Sequence, residues 1–351
     1  MRRISLVVLL AGLYLGARPA EASTILAVGR CRPQLKSFTM IEPAILSSSP
    51  GGIVLVCPGT YREQVTISLP LTLAGIDSGT AGRTVIAVPR NGLSVNATSI
   101  VDGLQVAAQV LVTPGTPSVN IIDITVDGSG SNVTAPDVLD GIFYDSGSSG
   151  IVYRVTTRNQ YAGLGVGIWA QNATASNETV TIENSSIHDV GFIAIFMVSN
   201  QTPPTLTATV KGNRVSSTDI GVWEQSGGAV TGNFISAASD GIDLYNGSSA
   251  SATSNTIVNT QRGINVGDAG NVVKSNIIWN SSIAGITLYG NGSTVEGNNV
   301  VLAPVGIEFG CYLATVSNNT INDVGIGVDT VPSSFSLVNY FDNADTTRTS
   351  C

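Results

Sequence analysis

Apolar and polar residues alternate in short stretches over most of the chain, and the pattern returns at regular intervals between Gly141 and Val328. Each copy begins with a small residue followed by Ile or Val, and a second apolar residue stands two positions later, as in Ile242 and Leu244. Such alternation is typical of a strand, because successive side chains of a strand point to opposite faces. The copies start at Gly141, Gly167, Ala194, Gly221, Gly241, Gly263, Gly285, Gly306 and Gly325. Spacings of 19 to 27 residues predict one structural unit that repeats and stacks.

A second phrase, Val-x-x-Asn-x-Ile, keeps the same interval and places one polar residue at a fixed point of each copy. These residues are Asn213, Asn233, Asn255, Asn276, Asn298 and Asn319, with Ser185 in the first copy. Gly, Asn, Ser and Thr fill the stretches between apolar runs and favour turns, whereas helix formers are scarce. Short strands joined by turns, with one rung per copy, predict a parallel β-helix. Asparagines stacked in a column can bond to one another and to the turn backbone.

The N-terminal part carries a resemblance to known families. The stretches 38–45, 52–56, 58–67 and 71–75 resemble the opening of pectin methylesterases and of the nitrous-oxide-reductase maturation family. Together with the repeats, they make the chain similar to the right-handed parallel β-helix proteins of the pectate-lyase-like superfamily. The resemblance implies an all-β fold, a right-handed solenoid with a short N-terminal capping helix. It leaves the activity open, because many activities share this scaffold.

Residues 1–22 have the form of a secretory signal peptide, with a charged start, an apolar core and a small-residue cleavage site. We therefore expect a secreted or periplasmic protein. Residues 23–351 are expected to form one β-helix domain, because no linker divides them. Within it we expect an N-terminal cap at about 23–50 and a C-terminal cap at about 333–351, where the repeat is lost.

A short helix is predicted over Thr39–Ser48, because Thr39 and Glu42 have the spacing of a capping box. Such a helix would cover the open end of the first rung. The strands predicted before the repeats are Ile53–Val56, Val65–Leu73, Thr84–Val88, Ile100–Val106 and Ile121–Val126.

Four cysteines in an exported chain predict disulfides. Of the three pairings, we favour Cys31–Cys57 with Cys311–Cys351, since each pair is local to one end of the solenoid. An end rung has a neighbour on one side only and gains most from a covalent link. The alternative is that Cys57 or Cys311 is a small buried apolar residue.

The formal net charge is −8, with 16 Lys and Arg against 24 Asp and Glu. An acidic surface argues against binding to nucleic acid or to an anionic membrane. It also disfavours a polyanionic substrate unless a metal bridges the two. We expect a monomer whose partner is a polysaccharide.

Side-chain alternation identifies the outward face of the repeats. Since the Ile of each copy faces the interior, the residue after it faces outward. Down the rungs this position holds Phe143, Trp169, Phe196, Trp223, Asp243, Asn265, Thr287, Glu308 and Gly327. The next outward position holds Asp145, Gln171, Val198, Gln225, Tyr245, Gly267, Tyr289, Gly310 and Asp329. Four consecutive rungs thus present an aromatic row that is roughly 15 Å long at ~4.8 Å per rung.

Sugar rings stack on aromatic faces, so this row predicts a polysaccharide site. The predicted substrate-binding residues are Phe143, Trp169, Phe196, Trp223, Tyr245, Tyr289 and Glu308. The alternative is that the row is a satellite core under loops, because its rungs are also the long ones. The extra residues at 146–149, 172–178 and 200–204 are the candidates for such a cover.

Asp243, Glu224 and Arg262 are near neighbours on adjacent rungs and are the candidate catalytic residues. Carboxyl groups suit acid–base work or Ca²⁺ binding, so Ca²⁺ is a candidate ligand although no cofactor is required. For Asp240 and Arg262, which precede the small residue on consecutive rungs, the alternative is a structural ion pair. The single histidine, His188, lies in a turn-like stretch and is expected to be a surface residue.

Three functions follow from these patterns. The first is an exported β-helix protein that binds, and as a lyase or hydrolase processes, polysaccharide along its outer sheet. The second is a structural or surface β-helix protein without catalysis. The third is a periplasmic metal-site maturation protein, which the chain supports least because copper sites use His, Cys and Met, and these residues are scarce here.

Overall fold

The computed structural model describes residues 23–76, 83–236, 239–245, 249–329, 331 and 338–346. In this part the chain is a right-handed parallel β-helix, as the repeats predicted. Three strands make up a full rung, and each strand pairs in parallel with its equivalent in the next rung. We call the three resulting strand columns sheets 1, 2 and 3.

Sheet 1 contains Val65–Ile67, Gln105–Val112, Val138–Tyr144, Leu164–Asn172, Ile193–Ser199, Ile220–Gln225, Asp240–Leu244, Arg262–Val266, Ala284–Leu288 and the ends of Asn299–Glu308 and Ala314–Asp329. Sheet 2 contains Ile25–Val28, Gly52–Val56, Leu71–Gly75, Val119–Ile122, Gly150–Tyr153, Glu178–Glu183, Leu206–Lys211, Ala229–Thr231, Ser251–Thr253, Val272–Lys274, Ser293–Glu296 and the start of Ala314–Asp329. Sheet 3 contains Gly59–Arg62, Thr84–Ala87, Ile124–Asp127, Thr156–Gln160, Ser186–Val190, Arg214–Ser216, Phe234–Ser236, Thr256–Val258, Ile277–Trp279, parts of Asn299–Glu308 and Ala314–Asp329, and Val338–Thr346. Ser37–Phe38 pairs with Ile25–Val28, and Ala97–Thr98 pairs antiparallel with Gln105–Val112.

The interior is a continuous column of aliphatic side chains. Ile242, Ile264 and Ile286 are register partners on successive rungs and are fully buried. The small residue before each of them is required by the close approach of neighbouring rungs. A Cβ added at Gly241 would lie 2.5 Å from the carbonyl oxygen of Gly263. The repeat found in the sequence therefore reflects a packing constraint that every rung shares.

The last predicted copy, at Gly325, was placed two residues too early. Val328, not Ile326, is the register partner of Ile307. A Cβ added at Gly306 would meet the carbonyl oxygen of Gly327, so Gly327 occupies the inward small-residue position. The outward partner of Glu308 is consequently Asp329.

The asparagine column forms a buried hydrogen-bonded ladder, as predicted. The Asn233 backbone N–H and its side-chain Nδ2 both donate to Oδ1 of Asn255, each at 2.9 Å. Asn255 repeats this pattern towards Asn276. At the start of the ladder, the Ser185 N–H donates to Oδ1 of Asn213 at 2.9 Å. These bonds satisfy turn groups that are buried between rungs.

The N-terminal helix spans Ile41–Leu46, and Ile41, Ala44 and Ile45 are buried against the first rungs. The predicted Thr39 cap is wrong. Met40 occupies the N-cap position without a side-chain cap. Instead, the Glu63 carboxylate accepts hydrogen bonds from the Ile41 and Glu42 N–H groups. A carboxylate from the following rung therefore satisfies the helix start.

The predicted disulfide between Cys31 and Cys57 is present, with a Cα–Cα distance of 5.7 Å. Cys311 is also disulfide-bonded. Its predicted partner Cys351 and the predicted signal peptide 1–22 lie outside the described residues. Where a C-terminal cap was predicted, Val338–Thr346 adds another parallel strand. No helix of the described part is long and apolar enough to cross a membrane.

Candidate functional site

The predicted aromatic row lies on the outer face of sheet 1. Phe143, Trp169, Phe196 and Trp223 are register partners on four successive rungs. Their ring centroids are 5.3, 4.8 and 5.3 Å apart in that order. Tyr245 continues the row, with its ring 5.9 Å from that of Trp223. Five aromatic rings are thus in contact along one line.

Most of this row is covered. Phe143, Trp169 and Phe196 are buried, and Trp169 is only 2% exposed. The cover is residues 97–104, which we call the cover segment. Its apolar side chains pack in one cluster with the rings. They are Ala97, Ile100, Val101 and Leu104. Part of it was predicted as a strand over Ile100–Val106, but the strand begins at Gln105.

Gln171 fastens the cover segment to sheet 1. Its Oε1 accepts from the Ile100 N–H at 2.9 Å, and its Nε2 donates to the Thr98 carbonyl at 3.0 Å. Gln171 stands in the second outward column, beside Trp169. Its amide satisfies backbone groups of the cover segment that would otherwise bond to water. The aromatic row is therefore a satellite core at its N-terminal end, which was one of the two predicted alternatives.

The loops that were predicted as the cover instead bond to one another. The Ala173 N–H donates to Ser146 Oγ at 3.1 Å, and Gln201 Nε2 donates to the Ala173 carbonyl at 3.0 Å. The Gly147 N–H donates to Asn172 Oδ1 at 3.2 Å. Loops of neighbouring rungs therefore continue the stacking of the strands, which leaves the cover to a segment from an earlier rung.

A mostly apolar cavity of about 260 Å³ lies between the cover segment and sheet 1. It is lined by Val101 and Leu104 of the cover, and by Trp169, Phe196 and Trp223 of the row. Trp223 is half-buried at the edge of the cover. The Nε1 atoms of Trp169 and Trp223 have no hydrogen-bond partner. The cavity therefore ends at the point where the row becomes accessible.

Beyond Trp223 the larger side chains of the same face are accessible, whereas Asp243 and Thr287 of the outward column are buried. Tyr245 is 44% exposed, Tyr289 is similarly exposed and Glu308 is half-buried. The seven predicted substrate-binding residues consequently fall into two groups. Three are buried under the cover segment, and four line an open surface, which are Trp223, Tyr245, Tyr289 and Glu308. We call this second group the open face.

Asp243 stands next to Trp223 on the following rung and next to Asn265 on its other side. It is only 6% exposed, and its Oδ1 has no hydrogen-bond partner. Burial raises the pKa of Asp243 to about 7, and the nearby carboxylate of Asp240 adds to this, while a hydrogen bond with Asn265 opposes it. The carboxyl can therefore hold or release a proton near neutral pH.

Arg262 Nη1 lies 3.6 Å from Asp240 Oδ1, so the predicted ion pair is present. Burial nevertheless raises the pKa of Asp240, and the positive charge of Arg262 opposes that rise. Asp240 and Asp243 both face outward from one strand, because the inward Gly241 interrupts the alternation between them. The structure thus brings Asp240, Asp243 and Arg262 together.

The third catalytic candidate, Glu224, must be corrected. It is the register partner of Met197 and Leu244, which lie in the solenoid core, and it is 0% exposed. Its Oε1 accepts from the Ser226 N–H at 2.7 Å and from the Gly228 N–H at 3.0 Å. Glu224 therefore holds a turn from the inside and does not reach the outer face.

Asp140 was missed by the sequence analysis. It is fully buried, and burial raises its pKa well above the usual range. The register places Asp140 in the same column as Ile220 and Asp240, the position before the small residue. Its place before the small residue of a copy was the sequence feature that could have identified Asp140. His188 lies on sheet 3 with its Nδ1 2.7 Å from Asp189 Oδ2, away from this face.

Across the part of the chain that the structure describes, no group of three or more His, Cys, Asp or Glu side chains is placed to hold a metal ion. Ca²⁺ binding by the carboxyls near Asp243 stays a prediction.

Comparison with known proteins agrees with the fold. A family model described as "Right handed beta helix region" matches residues 118–300. Among solved structures, the lacto-N-biosidase of Eubacterium ramulus has a TM-score of 0.62 and 10% identity, and the match covers 93% of this chain and 66% of that one. The mannuronan C-5 epimerase AlgE4 A-module of Azotobacter vinelandii has a TM-score of 0.54 and 18% identity, and the match covers 85% of this chain and 89% of that one.

The catalytic domain of an α-1,3-glucanase has a TM-score of 0.60 and 11% identity, covering 95% of this chain and 67% of that one. No curated protein matches the sequence. At these identities the structural matches show the fold alone. They do not show the finer resemblance of the N-terminal stretches to pectin methylesterases or to the nitrous-oxide-reductase maturation family.

Proposed function

The chain belongs to the right-handed β-helix family, and we propose that it is an exported protein that binds polysaccharide on the open face and acts on it through Asp243. The observation that carries this proposal is the position of Asp243. Its nearly buried carboxyl keeps an unpaired oxygen beside Trp223, at the point where the cover segment ends. Buried polar atoms are usually paired, so an unpaired one in an outer face is a candidate ligand contact.

The open face offers both parts of a sugar site. Trp223 and Tyr245 provide adjoining rings on which sugar faces can stack. Asp243 lies on the rung of Tyr245, next to Trp223 of the preceding rung, and has a pKa near neutrality, which suits an acid–base residue in hydrolysis or elimination. Asp240 and Arg262 keep a second carboxyl and its counter-ion close by. Asp243 would contact the ligand, whereas Arg262 would act by positioning Asp240.

Two further observations support an exported carbohydrate-binding protein. The structural neighbours include, by their names, a biosidase, a C-5 epimerase of mannuronan and a glucanase, which are proteins that act on saccharides. The Cys31–Cys57 disulfide suits an oxidising compartment outside the cytosol.

A second candidate function, a structural β-helix without catalysis, is favoured by the buried end of the aromatic row. Phe143, Trp169 and Phe196 fill a satellite core and do not meet solvent. If the only role of Trp223 is to pack against this satellite core, the open face has no ligand-binding function. For the third candidate, metal-site maturation, the described residues offer no supporting observation.

A polysaccharide array followed by calorimetry separates these functions. The Trp223→Ala variant should bind the best glycan five- to tenfold more weakly, since a lost ring contact is worth about 1 kcal/mol. The matched control is Trp279→Ala, because Trp279 is an exposed tryptophan on the outer face of sheet 3. Asp243→Asn should retain binding and lose turnover. Equal affinities of the two tryptophan variants, with a large fall in melting temperature for Trp223→Ala alone, would favour the structural function.

A further inference from the structure

The polar atoms of the open face indicate what kind of saccharide fits it. Asp243 Oδ1, Asn265 Oδ1 and Thr287 Oγ1 follow one another on three successive rungs, and none has a hydrogen-bond partner. Thr287 is fully buried and Asp243 nearly so. All three atoms are buried within the face, and two donors of the same face, Trp223 Nε1 and Arg262 Nε, are also unpaired. The unpaired atoms therefore include both acceptors and donors, and the charge of the surface has to decide between ligand classes.

The charge of the same surface is negative. Its acidic and basic side chains include Asp219, Asp240, Asp243, Glu308, the register partner Asp329 and Arg262, so the formal balance of these six with all ionised is 1 − 5 = −4. The one guanidinium already faces Asp240 at 3.6 Å. The negative charge of Asp219 also contributes to the raised pKa values of Asp240 and Asp243. A ligand carboxylate placed here would meet net repulsion, because the carboxyls outnumber the single guanidinium.

A polar pocket adjoins this surface at the corner between sheets 3 and 1. Its volume is about 430 Å³, and uncharged hydroxyl and amide side chains form most of the wall, among them Ser239, Thr260, Gln261 and Asn280. Asp219 is its charged member, so the pocket and the surroundings of Asp243 share one residue. Hydroxyl and amide groups can both donate to and accept from sugar hydroxyls.

The arginines of the described chain that could hold an acidic sugar lie elsewhere. Arg154 lies in the turn between sheets 2 and 3 and Arg158 lies on sheet 3, and they pair with aspartates at 2.6 and 2.8 Å, respectively. Among the described residues, the open face therefore has one guanidinium, which lies at ion-pair distance from Asp240, against several carboxyls.

We propose that the ligand of the open face is an uncharged glycan, and that it continues from Trp223 and Asp243 across the corner into the pocket at Asp219 and Gln261. This inference rests on the proposed function and narrows it to a substrate class. Sugar rings would stack on Trp223 and Tyr245, and sugar hydroxyls would exchange hydrogen bonds with the hydroxyl and amide side chains of the pocket. Uronic acid chains, whose carboxylates are negatively charged at neutral pH, would be repelled by the carboxyls of this surface.

The test uses pairs of glycans that differ at C6. Glucan, mannan and galactan oligosaccharides are each compared with the C6-oxidised form, in which a carboxylate replaces the hydroxymethyl group. Calorimetry with the wild-type chain should show at least about tenfold tighter binding of the uncharged member, or about 1.4 kcal/mol. High salt should narrow the difference, since it screens exposed charges.

Two variants locate the effect. Asp219→Asn removes one charge of the pocket and should reduce the preference for the uncharged member several-fold. The exposed Asp342 of sheet 3 provides the matched control, because Asp342→Asn should leave the preference unchanged. Gln261→Ala should weaken the binding of long oligosaccharides that reach the pocket, and leave the binding of short ones unchanged.

The outcomes separate the two proposals. If an oxidised glycan binds as tightly as its uncharged partner, and Trp223→Ala still weakens it, the open face binds polysaccharide and the uncharged class is wrong. If no member of any pair binds, the proposed function fails and this inference fails with it. A preference that Asp342→Asn removes as effectively as Asp219→Asn would overturn the role of the pocket.

Discussion

The asparagine ladder makes a prediction that can be worked out bond by bond. Asn255 lies in its middle and is 1% exposed. Its Oδ1 accepts from the N–H and the Nδ2 of Asn233, and its Nδ2 donates to the Val230 carbonyl at 2.9 Å and to Asn276 Oδ1 at 3.0 Å. Asn255→Ala removes all four bonds.

The magnitude follows from the groups left behind. The Asn233 N–H loses its acceptor and the Val230 carbonyl loses a donor. Each buried group left unpaired costs about 1–3 kcal/mol, so Asn255→Ala should lower the free energy of unfolding by about 2–6 kcal/mol. The neighbouring Thr256 faces outward and is only partly buried, so Thr256→Ala should change the free energy of unfolding by less than about 0.5 kcal/mol.

Denaturant unfolding of both variants, followed by far-UV circular dichroism, measures the difference. Asn255→Asp is an informative third variant, because its carboxylate can accept from Asn233 but cannot donate to Val230. The stability of Asn255→Asp should lie between those of wild type and Asn255→Ala only at acidic pH, where the carboxyl can carry a proton. If Asn255→Ala is as stable as Thr256→Ala, the ladder contributes nothing and the fixed asparagine has another cause.

Three further predictions follow from burial. Trp169→Ala should destabilise the fold by about 3–5 kcal/mol as a core truncation, whereas Tyr245→Ala should have little effect; equal losses in thermal unfolding would mean that the cover segment does not bury the row. Because the folded pKa of Asp243 is about 7 and the ordinary value is 3.8, the folded chain keeps a proton that the unfolded chain releases between about pH 4 and pH 7. Stability should therefore fall as pH rises through that window, and Asp243→Asn should remove up to about 4 kcal/mol of this fall; an unchanged slope would contradict the raised pKa. Glu224→Gln should be tolerated better than Glu224→Ala in denaturant unfolding, since glutamine keeps an acceptor for the buried turn; the reverse order would contradict the internal role.

Much of the fold could be predicted because each rung obeys the same constraint. The small residue at positions such as Gly241, the inward Ile242 and the asparagine of each turn must recur wherever rungs stack. The Cys31–Cys57 pairing was also within reach, since both cysteines lie in the first rungs. These features are local and periodic, so a single sequence displays them.

The cover segment could not be predicted in the same way. Ile100, Val101 and Leu104 form an apolar run that looks like a strand, and only the three-dimensional structure shows that it lies across rungs that come 40 to 120 residues later. The loops at 146–149 and 172–178 were the nearer candidates in sequence, but their polar side chains bond to each other. Non-local contacts of this kind leave no periodic signal.

The candidate site shows the same division. Alternation correctly placed Asp243 outward, and it also places Glu224, two residues after an inward Val222, inside the core. What it could not give is the burial that raises the pKa of Asp243, because that depends on Trp223 and the side chains around it. The direction of a side chain follows from the strand, whereas its electrostatics follows from the packing.

The most direct test of the central claim is a crystal structure with the best oligosaccharide from the array bound. We expect the sugar to lie across Trp223 and Tyr245, with a hydroxyl within hydrogen-bond distance of Asp243 Oδ1 and the chain directed towards Gln261. An oligosaccharide bound instead on sheet 3 beside Trp279, with the open face empty, would contradict the claim.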